Sequence, residues 1–84
     1  MVTVEIYREL ESLADPGHAM ILQRFFKTGP GEYGEGDRFR GIRVPVLRKV
    51  ARKYRHISWG EAEQLLQSPW HEDRLLALLI LIQG

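Results

Sequence analysis

The 84-residue chain contains no cysteine, which excludes a disulfide framework and removes thiolates from any metal site. Long apolar runs are also missing. The longest, Leu75–Ile82, has eight residues, far short of the roughly 20 that a membrane-spanning helix requires. The opening stretch MVTVEIYRELE has neither a basic n-region nor an apolar h-region, so no secretory signal is expected and a cytoplasmic location fits. Strand-like alternation and hairpin turn pairs are absent as well, which removes the β classes. Finally, no Asp or Glu occurs anywhere from Arg38 to Arg55.

What is present is ordinary in bulk and uneven in distribution. A hydrophobic fraction of 44% with 27% charged residues suits a folded chain and argues against disorder. The length allows one small domain, residues 1–84, which buries only roughly 60% of its unfolded surface. The formal net charge is +1. Eight of the twelve basic residues, however, are Arg38, Arg40, Arg43, Arg48, Lys49, Arg52, Lys53 and Arg55, inside the acid-free stretch. The remainder of the chain holds all eleven acidic residues. Segregation of this kind reads as a local binding surface.

Pattern and punctuation predict an all-α fold of about five helices in antiparallel pairs. A first helix over Thr3–Ala14 carries Ile6, Leu10 and Leu13 on one stripe. Asp15-Pro16 then caps and starts a second, Gly17–Lys27, expected to bury Ile21 and Phe25 with Leu22 and Phe26 on the adjoining row. Residues 28–44 form a Gly-rich loop with five of the eight glycines. A third helix runs from Val44-Pro45 to His56, its core stripe being Leu47, Val50, Ala51 and Tyr54. Its basic residues then share the outer arc with His56. Ser58 and Glu61 make a capping box for a fourth helix that buries Trp59, Ala62, Leu65 and Leu66. Ser68-Pro69 is expected to launch the fifth, in which His71-Glu72-Asp73 places acids in the first turn, where the helix dipole favours them.

The fifth helix continues as LLALLILI, apolar around its whole circumference, which calls for burial on every side. Four single-striped helices are too few to surround it. Further polypeptide beyond Gly84 is therefore expected to cover it, the alternative being a homo-oligomer through Leu75–Ile82. Helices four and five also resemble one HEAT-type unit, which needs a neighbour to complete its core.

Gly29-Pro30-Gly31-Glu32-Tyr33-Gly34 matches G-x-G-x-x-G formally. It lacks the preceding strand and following helix of a dinucleotide site, and Glu32, Glu35 and Asp37 would repel a pyrophosphate. His18, His56 and His71 are too scattered for a metal site. Trp59 and Trp70 at helix starts read as packing, and Tyr33 has no identifiable partner. Glu35 and Asp37 are ordinary loop acids, and no nucleophile–base pair or carboxylate dyad emerges. No catalytic residue, cofactor or metal is assigned. The basic segment is the one strong signal: a helix whose outer arc is cationic, without acids at i, i+4 to neutralise it, suits a phosphate backbone.

The stretch from Phe25-Phe26-Lys27-Thr28-Gly29 through Gly36-Asp37, with Phe39 and Gly41-Ile42-Arg43-Val44-Pro45-x-x-Arg48, closely resembles the DNA alkylation repair protein family, the AlkD-like glycosylases. Leu65-Leu66-Gln67-Ser68-Pro69 and His71-Glu72-x-Arg74 are similar to the family's next segment. The resemblance implies an α-α superhelix of HEAT-like repeats whose positively charged concave face holds duplex DNA. It also implies excision of alkylated purines by cleavage of the N-glycosidic bond, without metal and without flipping the base into a pocket. Family members are much longer than this chain, and their catalytic Asp with its accompanying tryptophans lies beyond residue 84. The chain is thus expected to supply N-terminal helices, the first repeat and DNA-binding surface but no catalytic group. A small helical nucleic-acid-binding or protein-interaction module without enzymatic activity is the alternative.

Overall fold

The computed structural model describes residues 2–32 and 34–83; Tyr33 and the chain-end Gly84 discussed above lie outside them. Five helices follow one another: α1 (Val2–Leu13), α2 (Pro16–Phe25), α3 (Val44–Lys53), α4 (Trp59–Leu66) and α5 (His71–Gln83). Among the described residues there is no strand, only an isolated bridge between Arg38 and Trp70. The fold is all-α.

The core is built from α1, α3, α4 and α5. Ile6 and Leu10 of α1 meet Leu47, Val50 and Ala51 of α3, Leu65 of α4, and Leu76, Ala77 and Ile80 of α5, with Ile42 entering from the loop. Each fully buried valine, leucine or isoleucine side chain here stabilises the fold by roughly 1.5–3 kcal/mol. Helices α4 and α5 pack against each other, α5 also lies along α3, and α1 rests on α4. The basic helix therefore has the apolar back that its stripe predicted. It is shorter than expected, ending at Lys53.

Two predicted stripes are corrected. On α1 the buried face is Thr3, Ile6 and Leu10, while Leu13, at the last helical position, has passed beyond the core and is exposed. On α2 the error is larger: Ile21 and Phe25, expected inside, are 62% and 75% exposed, and Ala19 is the buried residue. The cause is the nature of α2's neighbour. Instead of another helix's apolar face, α2 meets the backbone of the loop at Gly41. Asp15 N–H donates to the Arg40 carbonyl at 2.8 Å. Gly41 has φ +87°, and a Cβ there would collide with Asp15 O and Ala19 N. Only glycine fits so close to another backbone in that conformation.

The start of α2 is as expected, with Asp15 as N-cap accepting from His18 N–H at 3.1 Å. Its end is a Schellman-type turn. Lys27 adopts φ +53°, and the N–H groups of Thr28 and Lys27 return to the carbonyls of Gln23 and Arg24 at 3.1 and 3.3 Å. Such caps usually place glycine at the left-handed position, so the lysine there is under some strain. The loop then folds back on this cap: Gly34 N–H donates to the Lys27 carbonyl at 2.8 Å.

The capping box of α4 is present in full, with Ser58 N–H donating to Glu61 Oε1 at 2.9 Å and Glu61 N–H to Ser58 Oγ at 3.2 Å. The Ser58 backbone N–H, followed by the Ser58 hydroxyl, holds the Glu61 carboxyl below its ordinary range. Trp59, expected to be buried, is instead 69% exposed, because the first residue of α4 precedes the first inward position, Ala62. The α5 start also differs from expectation. Pro69 lies outside the helix, which begins at His71. Ser68 Oγ accepts from Trp70 N–H at 3.2 Å but donates to the Asp73 carboxylate at 2.7 Å. Along α5, Leu76, Ala77 and Ile80 are buried, whereas Leu78 and Ile82 remain exposed. The four other helices leave that arc uncovered, as the apolar circumference suggested.

Candidate nucleic-acid interface

Helix α3 sorts its residues by side. Leu47, Val50 and Ala51 face the core, so Arg48, Lys49, Arg52 and Lys53 are left exposed on the opposite arc. Arg43 occupies the N-cap position without a side-chain cap bond and is likewise exposed, as are Arg55 and Arg38. Arg48 and Arg52 form one wall of an open groove of about 400 Å³ floored by Ala51, Leu79 and Ile82.

Two of the eight predicted cations are engaged internally. Lys53 Nζ lies 2.7 Å from Glu9 Oε1 on α1, and the same oxygen accepts from the Tyr54 hydroxyl at 3.0 Å. The Glu9 hydrogen bond raises the Lys53 pKa. Burial, followed by that same contact, raises Tyr54. Arg40 is turned inward. Its Nε and Nη2 donate to the two oxygens of Asp73 at 2.8 and 3.1 Å, and its guanidinium sits 4.6 Å from the centre of the Trp70 ring. The remaining six, Arg38, Arg43, Arg48, Lys49, Arg52 and Arg55, make no ion pair among the described residues.

The basic loop is fastened to α5 by carboxylates that the sequence reading placed on a helix end for the dipole alone. Glu72 is 1% exposed and Asp73 0%. One oxygen of Glu72 accepts from Arg40 N–H at 2.8 Å, and the other accepts from Gly41 and Ile42 N–H at 2.9 and 3.3 Å. Three loop amides thus converge on one carboxylate, a charge-assisted arrangement stronger than neutral hydrogen bonds. Nearby, Asp37 receives the Arg74 guanidinium and lies 3.5 Å from His71 Nδ1. Arg74 also donates to the Ser68 carbonyl at 2.8 Å, and His71 N–H to the Arg38 carbonyl at 2.7 Å. The His71 ring stacks on Phe39 with 4.6 Å between centroids, and Phe39 stacks on Phe26 at 5.3 Å. A signal for this network existed: acids opening a helix with no polar side are buried with it, and buried acids require donors.

The loop acids have internal partners. Glu35 Oε1 accepts from Gly31 N–H at 2.7 Å, and Asp37 is held by Arg74 and His71. No group of three or more His, Asp or Glu side chains among the described residues is arranged to hold a metal ion. Tyr7, half-buried beside the core, has its hydroxyl pKa raised by burial and by the nearby Asp73 carboxylate. Among the described residues no helix is long and apolar enough to cross a membrane.

No curated protein and no solved structure matches the chain. Residues 6–84, which include α3, the loop and the α5 carboxylates that bind it, match the family model described as DNA alkylation repair enzyme, and the chain belongs to that family.

Proposed function

We propose that this chain is the N-terminal part of a DNA alkylation repair protein and contributes phosphate-binding surface for duplex DNA, while the groups that break the glycosidic bond lie in polypeptide beyond it. The observation that carries this reading is the set of six exposed cations without ion-pair partners among the described residues, on α3, the loop leading to it and the turn that follows it. Exposed cations without internal partners are available to neutralise phosphates and release counterions. The exposed Leu78 and Ile82 on α5 support the second half of the proposal, since a further helical repeat stacked there would cover them, as repeat architectures require. Within the complete protein the chemistry is excision of alkylated purines, in which positive charge developing on the deoxyribose is stabilised by a carboxylate from a later repeat.

Fluorescence anisotropy of the 84-residue chain with duplex DNA across a salt series tests the proposal. Binding is expected at low salt, with log affinity falling linearly against log salt by about 0.9 for each phosphate neutralised. Charge reversal at Arg48 and Arg52 is expected to weaken binding and leave helicity intact. Absence of duplex binding at low salt, or unchanged affinity in the double variant, overturns the DNA reading. The chain alone is expected to release no methylated base from DNA, and release by it would overturn the assignment of catalysis to other residues.

A further inference from the structure

Glu72 does more than satisfy its own charge. Its side chain is inaccessible to solvent and forms no ion pair among the described residues, yet it gathers the amides of three consecutive residues, Arg40, Gly41 and Ile42. Those residues separate Arg38 from Arg43, two of the six exposed cations. The segment belongs to no helix and contains Gly41 at φ +87°; the buried side chains of Phe39 and Ile42 anchor it to the core, and its backbone is held by polar contacts. Its other long-range polar ties also run to α5 or to the start of α2. They are the Arg40–Asp73 pair, the Arg38 carbonyl accepting from His71 N–H, and the Arg40 carbonyl accepting from Asp15 N–H.

We infer that Glu72 is a positioning residue for DNA binding: by clamping the backbone of residues 40–42 it fixes the separation and direction of Arg38 and Arg43, so that both meet phosphates together with the α3 arc. The inference rests on the proposed duplex-DNA surface. The physical ground is preorganisation. Two arginines on a mobile loop each lose freedom on binding, whereas two arginines on a clamped loop have already lost it in the fold. A single carboxylate suits the task because it accepts several N–H donors at once, while a neutral amide presents donors of its own to at least one of them.

The test is the salt-dependent duplex binding of Glu72→Gln beside an Arg38→Ala/Arg43→Ala double variant and the triple combination. Circular dichroism at the binding temperature confirms folding of each. Glu72→Gln is expected to weaken binding roughly tenfold and to flatten the log–log salt slope by up to about 1.8, the contribution of two phosphates. The triple variant is expected to match the double, because the clamp acts only through the two arginines. Additive losses in the triple variant, or wild-type affinity and slope in Glu72→Gln, overturn the inference. Should Glu72→Gln not fold, Glu72→Asp keeps the charge but withdraws it from the amides and is read by the same two criteria. Failure of the wild-type chain to bind DNA is a separate result and overturns the proposed function instead.

Discussion

Arg40 and Asp73, 33 positions apart in the chain, meet through two parallel hydrogen bonds of 2.8 and 3.1 Å, with the Asp73 side chain fully buried and that of Arg40 only 10% exposed. Both partners are held from behind, Asp73 by the Ser68 hydroxyl at 2.7 Å and Arg40 by the Trp70 ring. The pair sits where the loop crosses the start of α5, so it belongs to the scaffold beneath the cationic surface.

Removal of one partner is therefore costly. Arg40→Ala leaves a buried carboxylate without its counter-charge, and a loss of about 3–5 kcal/mol is expected, enough to unfold much of a domain this size. Replacing Arg48 by Ala, on the exposed arc, is expected to change stability by less than about 0.5 kcal/mol. Urea titration of both variants distinguishes a structural arginine from a surface one. Equal midpoints would contradict the geometry.

The alkaline limb of stability is expected to depend on Glu9. Lys53 and Tyr54 both have raised pKa values, Lys53 through its Glu9 hydrogen bond and Tyr54 through burial followed by Glu9. Each binds its proton more tightly in the folded state. Their stabilisation is accordingly complete below the unfolded values of 10.5 and 10.0 and is lost as pH rises through the higher folded ones. Glu9→Gln should lower stability at neutral pH and flatten its decline in that alkaline range. Thermal melts of both proteins from neutral pH upward measure this, and an unchanged alkaline slope would speak against the tie between α1 and α3.

Core and arc on α5 should respond differently to truncation. Leu76, inaccessible among α1, α3 and α4, is expected to cost about 2–5 kcal/mol on replacement by alanine. Ile82, 79% exposed, should tolerate serine within about 0.5 kcal/mol. Chemical denaturation of the two variants checks the contrast, and a large loss in Ile82→Ser would mean that this arc is covered in solution.

Legibility followed distance along the chain. The Ser58–Glu61 box and the Asp15 cap were readable because both partners lie within four positions. The sorting of α3 into an apolar back and a cationic front was readable because helical period alone fixes it. Ile21 and Phe25 were misread, since periodicity shows that a stripe exists but not what faces it, and here the neighbour is the backbone at Gly41. Trp59 followed the same rule: its apolar character was visible, while its place ahead of the first inward turn was not. The inward turn of Arg40 and the roles of Glu72 and Asp73 depend on partners some thirty positions away, and no local pattern encodes them. Family membership was legible from the loop motif and its following helix, which the match over residues 6–84 bears out.

The Glu72 clamp also sets an order of events during synthesis. Gly41 leaves the ribosome 31 residues ahead of the carboxylate that receives its amide, and contacts between such distant positions form only after the intervening chain has closed a loop. Until α5 emerges, residues 40–42 lack the two carboxylates that hold them in the folded chain. The loop is closed late, by a pair of acids some thirty residues downstream.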